Sequence, residues 1–187
     1  MLSFQWLPPA RPWSLLSPPT GLSAPPSPEL QSINAERLSE DRLAVNGLAA
    51  TSVLSLAAGA RGALRAKGAR SRAFHVTSAG VHLFVLGTAV VGRAAIEVQD
   101  PARLGTEDSV RRGARLLRLL GAGIASDVGA MLAGALALRA SRKRSETLAG
   151  AGTSLLLHGA LLLLFDAVLF ARNAHQQRRV LQSVGST

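Results

Sequence analysis

The chain contains no cysteine and no tyrosine among its 187 residues, and only 4% of the residues are aromatic. Without cysteine there can be no disulfide, thiol nucleophile, iron–sulfur cluster or thiolate zinc site, and the redox compartment stays undetermined. The sequence also lacks a zinc-protease helix, a nucleophile elbow and a phosphate-binding loop. We therefore expect that the protein is not an enzyme.

Charged residues are missing from four long windows. Between Arg42 and Arg61, Arg72 and Arg93, Arg118 and Arg139, and Glu146 and Arg172, the only charged side chains are Asp127 and Asp166. Each window is close to the roughly 20 residues that a helix needs to cross a bilayer, and β-barrel alternation is lacking. The pattern predicts an all-α polytopic membrane protein, an antiparallel four-helix transmembrane bundle with short amphipathic flanking helices. The predicted spans are residues 43–60, 73–92, 119–138 and 148–171.

The segments outside the spans differ in character. Residues 1–27 hold seven of the nine prolines and are predicted to form a disordered tail. Residues 28–42 predict an amphipathic helix that begins after a Ser27 cap, and residues 172–187 predict a polar C-terminal tail. The basic helix before the third span either lies at the headgroup level or extends the span into solvent.

The net charge of +10 comes from basic residues between the apolar windows. Anionic lipid headgroups and membrane topology explain this placement, so we expect no nucleic-acid partner. The first and third connections together carry nine Lys or Arg and one acid, which favours both termini outside the cytoplasm. The expected location is a bacterial inner (cytoplasmic) membrane, crossed several times.

A polar layer is expected near the middle of the membrane. Counted from the span midpoints, Thr51 and Ser52, His82, Asp127 and His158 fall at similar depth. Polar side chains within a bilayer usually face the bundle interior, so His82, Asp127 and His158 form the candidate polar cluster. A second layer, nearer the termini, would contain Asn46, Thr88 and Asp166.

Two interpretations of this cluster stay open. Asp127 either fixes helix packing through hydrogen bonds or serves as a proton or cation site. The two histidines are either satisfied interior groups or ligands of a haem or metal, although the leading expectation is no cofactor. Asp127 and Asp166 also suggest an intramembrane aspartic protease, but their estimated depths differ by about 7 Å where a shared-proton pair needs about 3 Å.

Small residues recur at every fourth position of the third span. In lipid, helices associate by close approach at such residues. The spacing predicts a helix contact along this stripe, formed by Gly121, Ala125, Gly129 and Ala133 and continued by Ala137.

Four short motifs stand out along the chain: Ile33-Asn34-Ala35-Glu36-Arg37, Phe74-His75, Ser126-Asp127-Val128-Gly129 and Leu164-Phe165-Asp166. Together they resemble a family of small four-span bacterial membrane proteins of unknown function. The resemblance covers about residues 30–175. The resemblance implies a four-helix fold and supplies no activity.

Two hypotheses for function follow. The first is a non-catalytic accessory or scaffold bundle that contacts the lipid bilayer and a membrane-protein partner or a second copy of itself. The second is a protein that handles protons or cations, or binds haem or a metal, through His82, Asp127 and His158.

Overall fold

The structure is a computed structural model that describes residues 26–141 and 145–185, with side chains described to residue 182. It contains four helices, α1 (Pro28–Arg65), α2 (Ala69–Glu97), α3 (Thr106–Ser141) and α4 (Glu146–Gly185). Each includes a stretch that is long and apolar enough to cross a membrane. The described ranges contain no strand, so the prediction of an all-α four-helix bundle is confirmed.

Local sequence sets the helix ends. The Ser27 hydroxyl accepts a hydrogen bond from the Leu30 amide at 3.2 Å, and Pro28 occupies the first turn of α1. Only residues 66–68 separate α1 from α2, and Gly68 precedes α2 without a side-chain cap. The longer connection from α2 to α3 includes a turn in which the Asp100 carboxylate accepts from the Ala102 amide at 3.0 Å.

The helices pack as α1 against α2, α2 against α4, and α4 against α3. Glycines allow the closest approaches: a Cβ on Gly59 would lie 3.1 Å from the His75 carbonyl oxygen, and one on Gly134 would lie 2.8 Å from that of Gly152. Large apolar side chains cover the outward faces within the spans, as at Phe84, which is 72% exposed. Such surfaces suit lipid rather than water, and we describe the chain as a membrane protein.

The predicted small-residue stripe does not form a contact within this bundle over Gly121, Ala125, Gly129 and Ala133, whereas Ala137 at its end lies near α4, 3.1 Å from a Cβ added to Gly152. Ala125, Gly129 and Ala133 are exposed, and a Cβ added to Gly121 or Gly129 would meet no atom within 4 Å. As an intrachain contact, the prediction is wrong for the first four residues of the stripe. The α3–α4 interface instead lies along Gly123, Asp127 and Gly134, on another face of α3, where Asp166, Gly159 and Gly152 of α4 approach.

The flanking segments are continuations of the spans. The predicted amphipathic helix 28–42 is the first part of α1, residues 106–118 are the first part of α3, and residues 172–185 are the last part of α4. The prediction of a polar C-terminal tail is therefore wrong up to residue 185. The predicted disordered tail lies outside the described residues except for its last two positions.

We call the part formed by residues 28–42, 93–118 and 172–182 the extramembrane end. Its apolar residues form two buried clusters, one of Leu30, Ile33 and Val180 and one of Leu38, Ile96 and Leu104. Burial of this kind stabilises contacts in water. The extramembrane end is thus a small helical core built on top of the transmembrane bundle.

Candidate intramembrane polar site

His158 of α4 is buried at the α2–α4 contact and both its ring nitrogens have partners. Nδ1 lies 2.8 Å from the Ser154 carbonyl oxygen, and Nε2 lies 3.0 Å from the Ser78 hydroxyl. A carbonyl oxygen only accepts, so Nδ1 donates to Ser154, and Nε2 shares the second hydrogen bond with the Ser78 hydroxyl. His158 thereby links α2 to α4.

The structure brings His82 into contact with His158, as the predicted cluster requires. The ring centroids are 4.9 Å apart and the planes meet at 79°, an edge-to-face arrangement. His82 Nδ1 is buried and has no hydrogen-bond partner. The two predicted histidines therefore share one interior position, but only one of them is fully hydrogen bonded.

Asp127 of α3 is 9% exposed and lies at the α3–α4 contact. Its carbonyl oxygen would be 3.1 Å from a Cβ on Gly159, the residue after His158. Asp127 is therefore close in depth to both histidines, as expected. Within the described part of the chain, however, its Oδ2 has no hydrogen-bond partner and no hydrogen bond joins it to either ring.

Ser52 of α1 adds a third buried atom without a partner at this level. Gly59 of α1 faces Ala79 of α2, and Val45 faces Gly92. This antiparallel register places Ser52 near Val85, about one helical turn from the level of His82. Ser52 is 1% exposed and its Oγ has no hydrogen-bond partner. We call Ser52, His82 and Asp127 the unpaired layer.

The predicted second layer does not assemble. The Asn46 Oδ1 accepts from Arg93 Nη1 at 2.6 Å, on the α1–α2 side. Thr88 is exposed, and its hydroxyl donates to the Val85 carbonyl of its own helix at 2.7 Å. Asp166 instead lies over Gly123 at the α3–α4 contact, where any side chain at position 123 would collide with its carboxylate. These three residues therefore lie at separate places in the bundle and do not form one cluster.

The arrangement bears on the haem and metal alternatives. A haem plane between His82 and His158 would hold the rings apart, with each coordinating nitrogen roughly 2 Å from the iron, whereas the rings here touch. Among residues 26–141 and 145–185, no group of three or more His, Cys, Asp or Glu side chains is placed to hold a metal ion. This geometry does not fit a haem held between the two histidines.

Sequence reasoning missed a second buried polar region, in the extramembrane end. Arg37 is 1% exposed and its Nη1 donates to the Ser109 carbonyl at 3.3 Å. Asn34 donates to the Leu104 carbonyl at 3.0 Å and accepts from the Ser109 hydroxyl at 2.7 Å. This network joins α1 to the start of α3.

An ion pair extends that network. Arg112 Nη2 of α3 lies 2.9 Å from Asp41 Oδ2 of α1. Burial lowers the pKa of Arg37 to about 10, assisted by the neighbouring Arg112 charge. Burial also raises the pKa of Asp41, an effect that outweighs the opposing attraction of Arg112 and Arg37. The ion pair thus exists despite a substantial desolvation cost.

The last part of α4 closes this region. Gln177 donates to the Val110 carbonyl at 3.0 Å, and Gln176 donates to Glu40 at 2.6 Å. Arg172 also pairs with Glu40, at 3.0 Å. A helical spacing signals the buried face of α1, on which lie Leu30, Ile33, Asn34, Arg37, Leu38 and Asp41.

Comparison with known proteins adds one finding. The model of DUF6992, described as a family of unknown function, matches residues 47–167. This range includes the unpaired layer and His158 but excludes Arg37, Asp41 and the end of α4. No curated protein and no solved structure matches the chain. Because the match covers more than half of the sequence, the chain belongs to DUF6992, a family of unknown function.

Proposed function

We propose that this protein is a non-catalytic accessory or scaffold bundle. The observation that carries the proposal is the use of His158: both its ring nitrogens bond to residues of the bundle itself, one on the neighbouring helix α2. A histidine held in this way specifies helix packing. The polar network of the extramembrane end acts similarly, because its long-range bonds join α1, α3 and α4.

In this role the chain works within a bilayer, and its proposed partner is another membrane protein or a second copy of itself. The proposed location is a bacterial cytoplasmic membrane with both termini outside the cytoplasm. The excess of basic residues in the two short connections supports this orientation.

A second candidate function is the handling of protons or cations. It is favoured by the unpaired layer, where Ser52 Oγ, His82 Nδ1 and Asp127 Oδ2 are all buried without a partner. Unsatisfied polar atoms in a low-dielectric interior are costly, and water or a cation would satisfy them. Asp166 adds a second carboxylate, close enough to interact electrostatically with Asp127.

Replacing Asp127 by Asn separates the two candidates. Asn keeps the side-chain volume but cannot ionise, so a scaffold should retain its folding and assembly. We expect proteoliposomes containing the D127N protein to show the same passive proton and sodium flux as wild type, measured with pH- and Na⁺-sensitive dyes inside the vesicles.

The matched control is Asp108→Asn at the start of α3, in the extramembrane end. A flux that exceeds that of empty vesicles, and that D127N abolishes while D108N preserves, would contradict the scaffold proposal and support ion handling. Thermal unfolding of each variant in detergent shows whether any loss of flux merely reflects loss of folding.

A further inference from the structure

A cleft lies between the N-terminal ends of α2 and α4, on the side of the two short connections. Its volume is about 410 Å³, and its lining comprises Gly68, Arg70, Ser71, Phe74, Gly150 and Thr153. The two helices approach closely beneath it because position 150 is glycine; a Cβ there would collide with the Arg70 carbonyl oxygen. The cleft is therefore a consequence of how α2 packs on α4.

The cleft crosses the boundary of the apolar windows. Gly68, Arg70 and Ser71 precede the charge-free window that begins at residue 73, whereas Phe74 and Thr153 lie inside such windows. The exposed lining of the cleft is almost entirely apolar, and the polar part is the basic stretch up to residue 72, which lies within a few residues of Phe74 at about 1.5 Å rise per residue. An occupant that matches both parts must itself have a polar end and an apolar end.

The charge around the cleft is strongly positive. Arg70 lines it, and the exposed basic residues on the same side are Arg61, Arg65, Lys67, Arg72 and Arg139. The described part of this side contains one acidic residue, Glu146. Basic clusters at a membrane surface attract anionic lipid headgroups.

The start of α2 supports the same chemistry. Gly68 provides no side-chain cap for α2, whereas the Ser145 hydroxyl accepts a hydrogen bond from Leu148 at the start of α4. The first amides of α2 are thus left to other acceptors, and the positive end of a helix dipole favours an anion. This feature adds to the cleft and the charge, which carry the argument.

We propose that this cleft binds one anionic phospholipid, with its phosphate beside Arg70 and the first turn of α2 and its apolar part against Phe74 and Thr153. The proposal goes beyond the scaffold function and does not depend on it. A soluble phosphate ester would satisfy the basic residues but would leave the apolar half of the cleft uncovered.

Native mass spectrometry of the full chain in detergent, with added phosphatidylglycerol or phosphatidylcholine, tests the proposal. We expect the wild type to retain phosphatidylglycerol preferentially, and Arg70→Gln to lower that retention about fivefold, the factor expected for one basic residue near a headgroup. Arg139→Gln removes the same charge from the same side but outside the cleft lining, and should leave retention close to wild type.

A second pair of variants separates charge from shape. A Cβ at Gly68 would meet no atom within 4 Å, so Gly68→Asn and Gly68→Asp should both fold and both can cap α2. Only Asp places a negative charge at the expected phosphate position. We expect G68D to lose phosphatidylglycerol and G68N to keep it.

Three results would overturn the proposal. The first is equal retention of the two lipids by wild type, and the second is an equal loss in R70Q and R139Q. The third is displacement of phosphatidylglycerol by glycerol phosphate at equal concentration, since the site would then recognise the phosphate alone. None of these results bears on whether Asp127 is needed for ion flux.

Discussion

At the scale of single residues, the contact between α3 and α4 depends on particular glycines. A Cβ on Gly134 would lie 2.8 Å from the Gly152 carbonyl oxygen and 2.9 Å from the Leu156 amide nitrogen. These are backbone atoms, which cannot move away without separating the helices. Gly129, five residues earlier on α3, faces open space. Two glycines of one helix therefore have different roles.

Gly134→Ala should destabilise the bundle, because the added methyl group forces α3 and α4 apart. We expect a loss of about 1–3 kcal/mol in the free energy of unfolding, the usual cost of overpacking. Gly129→Ala should be neutral or slightly stabilising, since alanine favours the helix. Chemical unfolding in detergent measures both. Equal effects of the two substitutions would contradict this packing.

Asp41 and Arg112 form the most buried ion pair between α1 and α3, with side chains 12% and 16% exposed. Burial already raises the pKa of Asp41, and the positive charge of Arg112 limits this rise. If Arg112 is removed, the carboxylate stays in the same environment without its main partner. The folded state then binds the Asp41 proton more tightly than the unfolded state does.

Arg112→Met should therefore cost about 3 kcal/mol of stability at pH 7. The folded-state pKa of Asp41 lies above the ordinary value of 3.8. The free energy of unfolding should therefore fall as the pH rises from the ordinary pKa to the folded-state pKa of Asp41, and should recover on acidification. The double variant with Asp41→Asn should lose this recovery. Unfolding measured from pH 4 to pH 7 checks the slope, and a double variant with an unchanged slope would rule out Asp41 as its source.

At the scale of helices, the depth of a side chain in the membrane was predictable from the sequence, whereas its direction around the helix axis was not. An error of one residue shifts a side chain by about 1.5 Å along the axis but turns it by about 100° around the helix. His82, Asp127 and His158 were therefore placed at the right depth from window midpoints. Thr88 and three residues of the small-residue stripe, Ala125, Gly129 and Ala133, were assigned to helix contacts but are exposed.

The end of α4 shows a different limit. Residues 172–182 are mostly polar, and their sequence alone resembles a solvated tail. Their burial depends on partners far away in the chain: Gln176 meets Glu40, and Val180 packs against Leu30 and Ile33. Such long-range pairs leave no local periodic signal strong enough to identify them, so the helix could be seen only in the structure.

Ending the chain after Arg172 should destabilise the extramembrane end. The deletion removes Val180, which is fully buried, and exposes Leu30 and Ile33. We expect a loss of about 3 kcal/mol or more from the apolar area returned to water and the broken hydrogen bonds. A chain ending after Gln182 is the control and should unfold like the full chain; similar stability of both truncations would mean that α4 contributes nothing beyond the span.

At the scale of the whole molecule, the surface has two parts. The outward faces of the spans carry exposed Leu, Val and Phe side chains, while the two ends carry the charged residues. The chain has no cysteine of its own, so a single introduced thiol reports its position without background. Ser32, Ser71 and Ala133 are exposed and sample the extramembrane end, the α1–α2 side and the lipid-facing surface respectively.

Single-cysteine variants at these three positions should label differently with a membrane-impermeant maleimide. With the termini outside the cytoplasm, S32C should react in intact cells and S71C only after permeabilisation. A133C should react in neither case, because lipid covers it. The reverse labelling of S32C and S71C would invert the orientation, and labelling of both in intact cells would be incompatible with a membrane-spanning α1 between them.

The uninterrupted length of the helices has a mechanical consequence. With 38 residues in α1 and 40 in α4, each rod is about 57–60 Å long, nearly twice the roughly 30 Å of hydrocarbon that it crosses. Each helix is continuous from its span into the extramembrane end. There, ion pairs such as that between Glu36 and Arg179 join α1 to α4. A change of tilt imposed by bilayer thickness would therefore be transmitted along these helices to the ion pairs that join their ends.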